Sequence, residues 1–257
     1  MNSTTSRRTF LTAATATASL NVFLPRSLDA APGDAAVIGH GSHKYKVVPN
    51  WGVLDDKKTP VANCHEILED NKGRIILFQT NAKNNVIVYD KSGKLLTSWG
   101  TEYPGAHGLD IVDENGEQFL FLTDVNQGKV FKTTLDGKVV MTLGRPLESG
   151  KYSGKEPYKP TNVFQAPDGT FFIGDGYGSS WILHYDAKGG LLNVFGGRGD
   201  KPYSLNTPHG GIVDTRDKDH PVVAICSRSD NAVKRFELDG TYLSSHAIPG
   251  MRVCQLA

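Results

Sequence analysis

The sequence predicts an all-β fold wound from repeated four-stranded units, and three observations carry that prediction. Strand-like segments that end in an apolar or aromatic residue plus glycine recur at 45–52, 93–100, 137–144 and 190–196. Their closing glycines lie 48, 44 and 52 residues apart, and a period of roughly 40–50 residues with four short strands per repeat marks a β-propeller. Gly 28 and Pro 13 in 257 residues make a turn-rich chain, which favours short strands over long helices.

The strands follow in the same order within each unit. The first unit, 53–100, runs from Ile67-Leu68 through the turn Asp70-Asn71-Lys72-Gly73 to strands at 74–78 and 85–89, then Lys91-Ser92-Gly93 and a closing strand. The second, 101–144, has a strand at 108–112, the turn Glu114-Asn115-Gly116, strands at 118–122 and 129–133, and the turn Asp136-Gly137. The third, 145–196, uses Pro167-Asp168-Gly169 and Ala187-Lys188-Gly189, and the fourth, 197–248, uses Asp239-Gly240. Glycine permits the positive φ of tight hairpins, and Val, Ile, Phe and Tyr fill the strands between. Residues 45–52 have no unit of their own and read as an N-terminal closing strand, the device that leaves no edge open in a ring. Residues 251–257 read as the first strand of a fifth unit, stopped midway. The chain thus resembles an NHL-type six-bladed propeller, with about four complete blades of the expected six; a closed four-bladed ring is the rival.

The first 31 residues read as an address. Ser6-Arg7-Arg8-Thr9-Phe10-Leu11 resembles a twin-arginine export signal, followed by a mildly apolar stretch at 11–24, Pro25-Arg26 and a small-residue exit at Ala30-Ala31. A linker over 32–43 then leads into the propeller at 44–257. The expected location is periplasmic or extracellular, and a chain exported already folded can carry a metal loaded beforehand. Lys+Arg 28 against Asp+Glu 27 gives +1, which excludes a nucleic-acid or membrane-surface binder built on bulk charge. No apolar run reaches the roughly 18 residues of a spanning helix, so stable membrane insertion is not expected either. The expected partner is a small-molecule or peptide substrate. Cys64, Cys226 and Cys254 are too few for a disulfide scaffold and fit no zinc ribbon. Gly196-Gly197-Arg198-Gly199-Asp200 has no helix after it to receive a phosphate and reads as an inter-blade loop.

In this architecture the residue before each innermost strand faces the central tunnel at one mouth. Those positions are Cys64-His65-Glu66, Ala106-His107-Gly108-Leu109, Pro160-Thr161-Asn162 and Pro208-His209-Gly210-Gly211. Repetition brings equivalent sites together around the axis, and imidazoles converging from separate blades can hold zinc with one coordination position open. His107 and His209, both followed by glycine, are the candidates. His65 reads as a turn or packing residue, and His40, His43, His184, His220 and His246 lie outside the register.

Over about residues 60–250 the chain resembles the lyase domain of the peptidylglycine α-amidating enzyme and its bacterial propeller relatives. The segments that carry the resemblance are His107-Gly108-Leu109, Thr123-Asp124-Val125, Pro160-Thr161-Asn162-Val163, Asp175-Gly176-Tyr177, Pro208-His209-Gly210, and Ser227-Arg228 ahead of Asn231 and Val233. That family splits a peptidyl α-hydroxyglycine into a peptide amide and glyoxylate, using zinc held by three histidines from alternate blades, a tyrosine, arginines and a structural calcium. The resemblance implies zinc on His107 and His209, Tyr177 as general base, Arg228 on the substrate carboxylate, and the Leu109 carbonyl on calcium. It also implies a third zinc ligand in a sixth unit that this sequence does not contain.

This chain departs from the family in several places. Gly178 stands where the animal lyases carry a disulfide-bonded Cys, Ser227 replaces an acidic residue, and the first-blade arginine has no counterpart near Ala62 or Asn63. The resemblance therefore implies carbon–nitrogen lyase activity in a full-length parent and little turnover from this chain. Two other classes stay open. One is a non-catalytic propeller in which Tyr177, Trp181, Tyr203 and Arg198 grip a peptide or glycan. The other is a metal-assisted hydrolase or lactonase, for which Asp124 and Asp175 are the only acidic candidates and otherwise read as turn caps.

Overall fold

The computed structural model describes residues 36–250 and 252–256; the export address at 1–31 lies outside them. Up to Pro49 the described chain is one compact unit, and from Asn50 a second begins. The first is a hairpin of β1 (Val37–His40) and β2 (His43–Lys46), paired only with each other.

The second unit holds four four-stranded antiparallel sheets, each laid down in chain order. The first blade is β3 (Cys64–Glu69), β4 (Ile75–Gln79), β5 (Val86–Tyr89) and β6 (Leu95–Trp99). The second is β7 (Ala106–Glu114), β8 (Glu117–Asp124), β9 (Lys129–Thr134) and β10 (Val139–Leu143). The third is β11 (Asn162–Gln165), β12 (Phe171–Gly174), β13 (Trp181–Tyr185) and β14 (Leu191–Gly196). The fourth is β15 (Pro208–Asp214), β16 (Val222–Ser227), β17 (Ala232–Glu237) and β18 (Tyr242–Ala247). This is an all-β propeller with NHL-type repeats.

Aspartate and glycine make the outer turns. At Asp90 the carboxylate accepts the backbone N–H groups of Ser92 and Lys94 at 2.8 and 3.1 Å, while Gly93 takes φ +84°, a left-handed conformation that suits a residue without Cβ. The glycine also makes room between blades. A Cβ on Gly137 would meet the Trp99 ring of the preceding blade at 2.7 Å, and one on Gly240 would meet the Phe195 ring at 2.6 Å. Leu143 packs on Gly189 in the same way, whereas Gly93 meets the Trp51 backbone carbonyl rather than its ring. The closing apolar residue of one repeat thus seats on the turn glycine of the next.

Branched and aromatic strand residues bury three cores, one between each pair of consecutive blades. Ile76, Phe78, Leu120 and Leu122 join the first blade to the second. Phe121, Val163, Phe171 and Leu183 join the second to the third. Phe164, Phe172, Ile225 and Phe236 join the third to the fourth. The inner strands β7, β11 and β15 are mostly buried, whereas β3 is mostly exposed, with Ile67 at 58%.

The expected N-terminal closing strand over 45–52 is corrected by the structure. Only residues through Lys46 are extended, and they pair with β1 rather than with any blade. Pro49 supplies no N–H to a ladder and Asn50 turns left-handed at φ +55°, so the strand cannot run on. Trp51 nevertheless reaches the first blade: its indole N–H donates to the Lys91 carbonyl at 2.9 Å, and Val53 N–H to the Gly93 carbonyl at 2.9 Å. The 43/44 boundary between expected linker and propeller falls inside the β1–β2 hairpin. Residues 252–256 form no ladder but run beside β15, where Gln255 and Leu256 join the channel wall.

Candidate functional site

The inner strands β3, β7, β11 and β15 neighbour one another around the axis. His107 and His209 lie at the mouth ends of β7 and β15, each within a β-bulge. The β7–β8 register slips between Ala106 and Leu109, and the β15–β16 register between Pro208 and Gly211. A bulge re-aims the side chain it carries. Tyr177 follows β12, and Arg228 opens the short 3-10 turn Arg228–Asp230 after β16.

These four residues meet. The His107 ring centre lies 4.9 Å from that of His209 and 5.0 Å from that of Tyr177. The Tyr177 hydroxyl and His209 Nε2 share a hydrogen bond of 2.9 Å, and Arg228 Nη1 donates to the same hydroxyl at 3.2 Å. The Arg228 guanidinium also sits 5.3 Å from the Tyr177 ring centre, within cation–π range. Thr207, directly before the Pro208-His209 pair, holds φ +59°, a left-handed strain that is uncommon for a β-branched residue.

The His-Gly pairs are explained by what holds the rings. His107 Nδ1 bonds to the Thr161 carbonyl at 2.9 Å, and His209 Nδ1 to the Cys254 carbonyl at 3.1 Å. A carbonyl can only accept, so each Nδ1 carries the proton and each Nε2 keeps its lone pair. The following glycine makes room for that same carbonyl. A Cβ on Gly108 would lie 2.4 Å from the Thr161 oxygen, and one on Gly210 would lie 2.5 Å from the Cys254 oxygen.

Burial sets the charge state. It pushes His107 down to about 4, against the opposing pull of its Thr161 bond, with His65, His209 and Arg228 lowering it further. Burial, then Arg228, takes His209 to about 4 as well. Both imidazoles are therefore neutral at pH 7, the form that ligates metals. His107 is 4% exposed, and its Nε2 is buried without a hydrogen-bond partner. An orphaned buried imidazole nitrogen, fixed in the right tautomer by its other nitrogen, fits zinc. Leu109, whose carbonyl the resemblance gives to calcium, lies in the channel wall beside Asp110. Among the described residues no group of three His, Cys, Asp or Glu side chains is placed to hold a metal ion.

Below the mouth, Leu109, Asp110, Asn162, Gly211 and Gln255 help line a channel cavity of about 390 Å³. Burial raises both Asp110 and Glu66 to about 7, with Glu66 adding to the shift at Asp110. Sequence reasoning missed this carboxylate pair, because Glu66 enters only as the neighbour of His65 and Asp110 falls just past the segment His107-Gly108-Leu109.

Other sequence candidates lie elsewhere. Trp181 and Tyr203 share a separate rim groove of about 420 Å³ with Lys151 and Tyr242, and Tyr177 does not line it; Arg198 is exposed. Asp124 is a buried turn cap that accepts the N–H groups of Gly105, Asn126 and Gln127. Asp175 is another, holding the N–H groups of Lys159 and Ser179 and the Tyr152 hydroxyl. Gly178 is needed there, since a Cβ would fall 2.0 Å from the Asp175 carboxylate. The three cysteines are free thiols.

The register puts His65 at the mouth, where it reads as a turn or packing residue. Its ring centre lies 4.3 Å from that of His107, so it belongs to the mouth. The signal was present, since Cys64-His65-Glu66 occupies the same register as Ala106-His107-Gly108.

No protein-family model matches the chain. Among curated proteins it is 38% identical over 109 residues to peptidyl-α-hydroxyglycine α-amidating lyase 1 of Drosophila melanogaster, covering 41% of this chain and 19% of the fly protein. It is 30% identical over 179 residues to a probable peptidyl-α-hydroxyglycine α-amidating lyase of Caenorhabditis elegans, covering 68% of this chain and 47% of that protein. To human NHL repeat-containing protein 3 it is 24% identical over 204 residues, covering 76% and 57%. The chain thus spans less than half the length of the lyases it matches. Among solved structures, the nidogen/laminin complex has TM-score 0.59 at 13% identity, covering 84% of this chain and 72% of the matched chain. Virginiamycin B lyase of Staphylococcus aureus has TM-score 0.55 at 15% identity, covering 83% and 62%; at these identities the likeness is one of fold. The chain is a distant homologue of the peptidyl-α-hydroxyglycine α-amidating lyases and of NHL-repeat proteins, built on a β-propeller.

Proposed function

We propose that this chain carries the reactive mouth of a zinc-dependent lyase that splits a peptidyl α-hydroxyglycine, or a similar hemiaminal, into an amide and glyoxylate. The observation that carries this reading is the pair His107 and His209, each anchored through Nδ1 with Nε2 left to accept, beside a tyrosine hydroxyl bonded to an arginine. Zinc, when held by His107 and His209, supplies Lewis-acid stabilisation of the negative charge that develops on the substrate hydroxyl.

The chain's own residues do the rest. Tyr177, once it has given up its own proton to solvent, takes the proton from the substrate hydroxyl as the phenolate, with Arg228 donating to its oxygen. As the new carbonyl forms, the C–N bond breaks, its electron pair goes to nitrogen, and the proton that Tyr177 has taken completes the amide. Arg228 donates to the Tyr177 oxygen, and its Nε is buried with no partner. That leaves a donor edge for the substrate carboxylate, a fork that guanidinium fills better than ammonium. We assign residues 1–31 to twin-arginine export, so the expected place of work is the periplasm or the cell exterior.

The test is glyoxylate release from an α-hydroxyglycine dipeptide by the zinc-loaded protein. Tyr177→Phe is expected to lower the rate by about 100-fold or more, the scale of a lost general base, while zinc content stays unchanged. Equal rates in the two proteins would remove Tyr177 from the mechanism. A zinc-loaded protein with no glyoxylate release above background would overturn the lyase reading in favour of a binding propeller.

A further inference from the structure

We propose that a cavity between the first and second blades, at the far end of the inner strands from the histidines, binds a neutral saccharide unit. The inference goes beyond the lyase reading and stands apart from it. Strands β3 and β7 carry His65 and His107 near their starts and run to the turns that hold Asn71-Lys72 and Gly116-Glu117, and those turns line the cavity. Its volume is about 540 Å³, within the range of small-molecule pockets.

Three observations carry it. The first is an unmet donor. Trp51 and Trp99 hold equivalent places in successive repeats, each followed by glycine. The Trp51 indole N–H donates to the carbonyl of Lys91, two residues before the turn glycine Gly93. The counterpart of Lys91, two residues before Gly137, is Leu135, which lines the cavity with Trp99. There the bond is not made: the Trp99 N–H is buried without a partner, and a donor left in that state calls for an acceptor.

The second observation is the chemistry of the wall. Trp99 and Leu135 supply apolar surface, and around them stand Lys72, Arg74, Thr97, Glu117, Gln118 and Asp136. Two cations and two carboxylates leave no net charge, which disfavours a phosphate or a metal ion. Groups that both donate and accept match the hydroxyls of a sugar, and the negative face of an indole attracts its polarised C–H groups.

The third is that the wall is already built. Asn71 N–H donates to Gln118 Oε1 at 2.9 Å, which ties the two blades together and leaves the Gln118 amide nitrogen to donate. Arg74 gives Nε to Asp70 at 2.6 Å, leaving its two Nη groups to a ligand. The Asp70 carboxylate also fixes the turn, accepting the backbone N–H groups of Lys72 and Arg74, each at 2.9 Å. A preformed wall spares much of the ordering cost of binding.

The test titrates the full chain with maltose, cellobiose, lactose and N,N′-diacetylchitobiose, read by the indole N–H signals in proton–nitrogen NMR spectra. The Trp99 signal is the one lost in Trp99→Phe. At least one of these sugars is expected to move it downfield in a saturable way. Glu117→Gln and Lys72→Ala change exposed residues, and each is expected to weaken that sugar about ten-fold. Tyr203→Ala, in the separate rim groove, is expected to leave it unchanged. No saturable shift with any of the sugars would overturn the proposal, as would a shift that both cavity variants leave intact. A saturable shift with trialanine and none with the sugars would mark a peptide site and overturn it equally. Glyoxylate release and zinc content are read at the mouth, so none of these outcomes bears on the lyase reading.

Discussion

Gly108→Ala tests the link between backbone spacing and the site. The added methyl would lie 2.4 Å from the Thr161 carbonyl oxygen, 3.0 Å from Asn162 Cα and 3.1 Å from Thr123 Oγ1. Ordinary contact begins at 3.4 Å, so β7 and the start of β11 must part by about 1 Å. Overpacking of this kind costs about 1–3 kcal/mol. The displaced carbonyl is also the one that holds His107 Nδ1 at 2.9 Å, and moving it that far breaks the bond and adds about 1 kcal/mol. The expected loss is therefore roughly 2–4 kcal/mol in urea unfolding, together with weakened zinc binding. Gly144→Ala is the control, because a Cβ there meets nothing within 4 Å. If Gly108→Ala unfolds within about 0.5 kcal/mol of Gly144→Ala, the close approach does not hold the site and the argument fails.

Two further outcomes follow from buried carboxylates. Asp110, raised to about 7 by burial and by Glu66, binds its proton more tightly folded than unfolded, so stability is present at low pH and is lost as pH rises from about 4 to 7. Asp110→Asn should accordingly be more stable than wild type at pH 8 by about 1–3 kcal/mol, a figure discounted for partial solvent access, and should lose that advantage at pH 4; equal stability at both pH values would contradict it. Tyr152→Phe removes the hydroxyl that donates to Asp175 at 2.8 Å in a buried setting and should cost about 1–3 kcal/mol, read as a lowered urea midpoint with an unchanged slope; an unmoved midpoint would mean water replaces the bond.

Blade structure was legible because glycine spacing and apolar strands record the repeat locally. The closing strand at 45–52 was misread because Trp51-Gly52 repeats the ending Trp99-Gly100; the break depends on Pro49 and the left-handed Asn50, which that pattern does not weigh. Among site residues, His107, His209, Tyr177 and Arg228 could be assembled from motif and register. Their anchors could not, because Thr161 and Cys254 act through backbone carbonyls, which carry no side-chain identity for a motif to show. His65 was legible by register and was passed over because it lacks the glycine that follows the other two. The Glu66–Asp110 pair depends on which side of an inner strand faces the axis, a matter of pleat and bulge rather than of composition.

The seating of each closing side chain on the next repeat's turn glycine has a consequence for how such chains change length. Trp99, Leu143 and Phe195 all fill the same kind of notch, so the joint between neighbours is interchangeable. Inserting or deleting a whole repeat leaves every remaining joint with a matching counterpart, whereas losing part of a repeat strands one plug or one notch. Variation in blade number is therefore cheap for this architecture in whole steps and costly in fractions.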